Sequence, residues 1–197
     1  LRAAKLAAAA DALKRQSGVS APFSLAFLTD VERAPHPLLI ARILPRGAAV
    51  ILRDYRIKGR AGLAARLKAV CAPRGVKLIV GADAELACAV GADGVHWPRW
   101  FSPATPVPEG MIVTASCHSA DELSRAKAMG ASLALLSPAL TTESHKGAEA
   151  LGSEKFRALA AASLLPVLAL GGVDETNALR LAGRNVAGLA AIGAFLG

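Results

Sequence analysis

A chain of 197 residues is long enough to bury one sizeable core and short for two domains. Its composition is 53% hydrophobic, yet no apolar run approaches the roughly 18 residues that cross a bilayer, so no membrane partner is expected. The net charge of +8 is lopsided: residues 1–77 hold 15 Lys/Arg against 4 Asp/Glu, and residues 78–197 hold 8 against 11. Arg56, Lys58, Arg60, Arg66 and Lys68 fall at loop and helix-surface spacing. With no zinc-finger, KH or RNP-like pattern, they read as a solvated face and not as a nucleic-acid surface.

In chain order, LRAAKLAAAADALKRQSG spreads five charges through an Ala/Leu pattern. This predicts an amphipathic helix stopped at Gly18, not a signal peptide, with the natural start upstream of Leu1. Eight short apolar runs follow: SLAFLTD (24–30), AAVILRD (48–54), VKLIVGA (76–82), DGVHWP (93–98), MIVTASC (111–117), SLALLSP (132–138), PVLALGG (166–172) and VAGLAAIG (186–193). Helical patterns lie between them over 35–47, 59–75, 82–91, 118–130, 152–163 and 174–183, and Ser119 precedes Glu122 at capping-box spacing. The segment from Pro98 to Gly110 is Pro-rich and reads as irregular. Cys71, Cys88 and Cys117 form no metal or disulfide pattern, which suits a reducing cytoplasm.

Eight strands alternating with helices predict an α/β fold, a (β/α)8 TIM barrel in a single domain, 1–197. Residues 1–18 would be an extra N-terminal helix and 24–196 the barrel, with the last helix truncated. A doubly wound sheet opening on FLTD is the alternative.

In a barrel the site lies at the C-terminal ends of the strands. Gly171 and Gly172 after strand seven, and Ile192, Gly193 and Ala194 after strand eight, offer backbone N–H groups to a phosphate. Strand parity puts Ile51, Arg53 and Tyr55 on one face. An inward Arg53 would clamp an anion or pair with an acid on a neighbouring strand. Thr114, Ser116 and His118 share another face, and Ser116 is placed to donate to a phosphate or a ring nitrogen. The polar loop SPALTTESHKGAEALG carries Lys146 within reach of a phosphate.

Together, LRD, ADGVH, S-x-H-S with DEL, SPALTT…K…LG, ALGGV and GLAAIGAF resemble the thiamine phosphate synthase family, with its TenI-like thiazole tautomerase branch, over about residues 24–196. The resemblance implies a barrel that joins a pyrimidine pyrophosphate to a thiazole phosphate with Mg²⁺ help. It implies roles for Arg53, Ser116 and Lys146 in catalysis, and for Thr142, His145, Gly171, Gly172, Ile192 and Gly193 in holding phosphate groups. The departures are concentrated. The family's Gln and Lys flanking the Arg are Ile51 and Tyr55, and its Asn-Asp pair after strand three is Gly81-Ala82. Its second Mg²⁺ acid falls on Phe101, its loop Lys on His145, and the tautomerase His on Pro138. Asp83, one residue on, is the acid left to recruit Mg²⁺.

Trp97, Trp100 and Phe101 gather three of the chain's eight aromatic residues at that edge. Trp97 and Trp100 could stack on a ligand ring, plug the barrel mouth, or cover a face in a homodimer. The expected partner is a phosphorylated small molecule, bound with or without catalysis.

Overall fold

The structure is a computed structural model that describes residues 2–101, 107–141 and 149–196. Eight parallel strands close into a barrel in sequence order: β1 (Leu25–Leu28), β2 (Ala49–Leu52), β3 (Lys77–Gly81), β4 (Gly94–Trp97), β5 (Ile112–Cys117), β6 (Leu133–Leu136), β7 (Val167–Leu170) and β8 (Val186–Ala191). Each lies within a predicted apolar run, and the doubly wound alternative is excluded because β1 pairs with β8.

Nearly every strand residue is buried, as expected where helices cover one face and the barrel lumen the other. Ala26, Leu28, Ala49, Ile51, Ile79, Leu133, Leu135, Leu168 and Ala190 form the interior core, closed at one end by Phe23. Their alternate neighbours, such as Phe27, Val50, Leu78 and Leu136, pack outward beneath the helices. Between Val167 and Leu168 the register to β8 slips by one residue, a bulge at Gly188. Only glycine suits this position: its φ is +149°, and a Cβ there would run into the backbone of Ser24.

Among the described residues five further helices follow α1 (Arg2–Ser17): α2 (Pro37–Ile43), α3 (Arg60–Cys71), α4 (Ala84–Ala89), α5 (Ala120–Ala128) and α6 (Gly152–Ala162). In α1, Ala3, Leu6, Ala10 and Leu13 recur at helical spacing and are buried against β8 and the segment after β7. The N-terminal helix therefore covers the outer face of β8, and only a 3-10 turn, Gly193–Phe195, follows that strand among the described residues. The predicted Ser119 cap forms, with its side chain accepting from the Glu122 N–H. Glu122 returns one residue early, to the His118 N–H at 2.7 Å.

One predicted helix is absent. Residues 174–183 form only a 3-10 turn, Ala178–Leu181. The Asp174 carboxylate accepts from the N–H groups of Thr176 and Asn177 and from the Thr176 hydroxyl. Asn177 Nδ2 donates to Gly172 O. The Asp174 bonds are those of a helix N-cap, yet only this one 3-10 turn follows the cap.

Candidate functional site

A cavity of about 1270 Å³ opens at the C-terminal ends of the strands. Arg53, Ser116, Gly171, Gly172, Ile192 and Gly193, all expected from sequence, line it together. Thr142, His145 and Lys146 lie outside the described residues.

Arg53 follows β2 on the inward face set by Ile51, as parity predicts. The pairing reading of its charge is the one the structure shows. Its guanidinium donates to Asp30, just past the neighbouring β1, at 3.1 Å, and it still borders the cavity. Asp30 also meets Arg33 at 3.3 Å, so one carboxylate joins two guanidinium groups at the rim.

The two glycine turns lie on the same cavity, after β7 and β8. Gly171 and Gly172 have φ of +94° and +68°. A Cβ on Gly172 would come within 2.5 Å of the carbonyl oxygens of Leu140 and Thr141, so the turn after β7 is wedged against the one after β6. Among the described residues no acceptor takes the N–H of Gly172 or Val173. The N–H groups opening the Gly193–Phe195 turn have no intrahelical partner either. These donors sit where an anion is best received.

The floor between these walls is polar. His96, fully buried on β4, has Nδ1 2.9 Å from Thr114 Oγ1 and Nε2 2.9 Å from Ser116 Oγ. Burial, with Arg53 nearby, pushes its pKa down to about 3, so the imidazole is neutral. His118, continuing the Thr114–Ser116 face, lines the cavity and is exposed. From sequence His96 was only a strand-end residue; its parity with Gly94, which faces the lumen, was the available signal.

On the β2–β4 side the structure differs from the sequence expectations. Trp97 points outward from β4, is 2% exposed, and stacks on Phe101 at 4.9 Å; it does not line the cavity and so offers no face to a ligand ring there. Trp100 does line it and is 67% exposed. Its ring meets Tyr55 edge-on at 5.3 Å and Phe101 at 5.9 Å. Tyr55, Trp100, Phe101 and Trp97 thus form a continuous aromatic wall. Gly81 is part of the same arrangement, because a Cβ there would lie 2.8 Å from the Tyr55 ring.

Arg60 is not the solvated charge its spacing suggested. Its side chain is 12% exposed and donates to Asp54 O, to Gly81 O and to Asp83 Oδ2. Burial lowers its pKa, with Asp83 acting in the opposite sense. Asp83 Oδ1 meanwhile caps α4 by accepting from the Leu86 N–H at 2.8 Å. Each Asp83 oxygen therefore has a partner, and the Arg60 guanidinium ties Asp54 O, Gly81 O and Asp83 Oδ2 together. Among the described residues no group of three His, Cys, Asp or Glu side chains could hold a metal.

Sequence reasoning also missed Arg2. It donates to Leu196 O at 2.7 Å, pairs with Glu175 at 3.4 Å, and brings the start of α1 to the cavity rim. No local motif signals this; it follows from α1 packing on β8.

Comparison with known proteins agrees with this architecture. A family model described as thiamine monophosphate synthase matches residues 26–195. A thiamine-phosphate synthase of Chlorobium luteolum is 35% identical over 178 residues, covering 86% of this chain and 84% of that protein. One from Methanoculleus marisnigri is 33% identical, covering 80% and 79%. Among solved structures, a thiamine phosphate pyrophosphorylase from Pyrococcus furiosus superposes with a TM-score of 0.72 at 24% identity, over 85% of this chain and 84% of that one, a likeness of fold. From its first strand to the turn after its eighth, the chain belongs to the thiamine monophosphate synthase family.

Proposed function

We propose that this barrel binds a phosphorylated thiazole, or a closely related phosphate ligand of thiamine metabolism, without a divalent cation. The phosphate would sit between the glycine turns after β7 and β8 and the Arg53 guanidinium. Supporting this, backbone N–H groups with no acceptor among the described residues line one cavity with Arg53 at the strand ends. The observation that carries the cation-free reading is the engagement of Asp83 by Arg60 and the α4 backbone, beneath an aromatic wall. In the coupling reaction the resemblance implies, pyrophosphate leaves, and stabilising its charge is what a metal would contribute. A site that does not provide for that metal is better suited to holding the phosphate ligand than to coupling.

Calorimetric titration of thiazole phosphate tests the site. The Arg53→Ala variant is expected to bind at least tenfold more weakly than wild type, about 1.4 kcal/mol, in keeping with loss of a charge-assisted hydrogen bond. Equal affinity in a folded variant would remove Arg53 from the phosphate site.

A further inference from the structure

We infer that His96 is a positioning residue: it holds the Ser116 hydroxyl as a hydrogen-bond acceptor toward the cavity, so a ligand meets Ser116 with an N–H or O–H group and not with an ionised phosphate oxygen. The inference deepens the ligand-binding reading above and rests on it for the ligand half only.

The argument follows one chain of hydrogen bonds. Thr114 Oγ1 lies 3.3 Å from the carbonyl oxygen of Val95, which can only accept. The Thr114 hydroxyl has one hydrogen and gives it there. Toward His96 Nδ1, at 2.9 Å, the same oxygen can then only accept, so Nδ1 carries the imidazole hydrogen. A neutral imidazole has one N–H. The ring is kept neutral by its complete burial, with Arg53 the charged group that acts on it. Nε2 is therefore a bare lone pair, and at 2.9 Å it takes the Ser116 hydrogen. Ser116 has no second hydrogen, so its cavity side presents lone pairs. The opposite polarity would leave Thr114 Oγ1 and Val95 O 3.3 Å apart with no hydrogen between them. Ser116, read from sequence as a donor to a phosphate or a ring nitrogen, thus gives its hydrogen to the His96 ring and turns lone pairs to the cavity. Phosphate oxygens are left to Arg53 and the backbone N–H groups.

Imidazole 15N chemical shifts, with the His96 signals assigned through the His96→Gln variant, report the tautomer directly. The wild-type protein is expected to show protonated Nδ1 and bare Nε2, unchanged between about pH 5 and about pH 8. Thr114→Val removes the anchoring hydroxyl and is expected to reverse the tautomer, placing the hydrogen on Nε2. An Nε2–H or mixed tautomer in wild type would overturn the inference, and so would persistence of Nδ1–H in folded Thr114→Val. With saturating thiazole phosphate the wild-type tautomer is expected to persist; a switch to Nε2–H on binding would mean that Ser116 donates to the ligand, and the inference would fall. If thiazole phosphate does not bind, the ligand reading fails while the tautomer measurements still decide the polarity.

Discussion

Tyr55 is the chain's one tyrosine, which makes the aromatic wall easy to interrogate. Burial pushes its phenol up to about 12, against the smaller opposing pull of Arg53 and Arg60. An ultraviolet pH titration is expected to show almost no tyrosinate at pH 10, the ordinary pKa. Half-ionisation there would mean the ring is solvated and the wall is not formed. The His96 site has its own signature. An unfolded imidazole takes a proton near pH 6.5, whereas the native one resists until about pH 3. Between those values the unfolded state holds one more proton, so stability falls as pH falls. This group contributes about 1.4 kcal/mol per pH unit. Urea unfolding at pH 6 and pH 5 is expected to show that increment in wild type and to lack it in His96→Gln. An equal pH dependence in the two would place the titration elsewhere.

The elements were legible where periodicity was strong and tertiary partners agreed with it. All eight strands and α1 through α6 answer to apolar runs or helical spacing in the sequence. The missing helix near residue 178 shows the limit: 174–183 has helical spacing and Asp174 caps as a helix start would, yet only the 3-10 turn Ala178–Leu181 forms. The role of α1 was not legible either, because helical spacing says which face is apolar but not which strand it will meet. The structure shows α1 over β8, with Leu13 fully buried. Leu13→Ala is expected to cost about 2–5 kcal/mol in chemical denaturation. A cost under about 1 kcal/mol would mean that α1 is not integral to the barrel.

For the whole molecule, the barrel address drew Arg53, Ser116 and the glycine turns to one cavity, and parity grouped Arg53 with Ile51 and Ser116 with Thr114 on single strand faces. What sequence spacing could not convey was pairing across distant segments. Arg60 joins Asp83 across 23 residues, and Tyr55 rests on Gly81, so two departures from the family's pattern are one packed unit. Under the proposed cation-free reading, that unit makes the β2–β4 rim an arginine-bridged aromatic wall, while the β7–β8 rim presents backbone N–H groups with no acceptor among the described residues. Calorimetric titration of thiazole phosphate into the wild-type protein, once with Mg²⁺ and pyrophosphate and once with EDTA, tests this division most directly. The expected result is binding with the same affinity in both, within about a factor of two, or 0.4 kcal/mol. Tightening of tenfold or more with Mg²⁺ and pyrophosphate would contradict it, and would mean that carboxylates such as Asp83 leave their present partners to hold the metal.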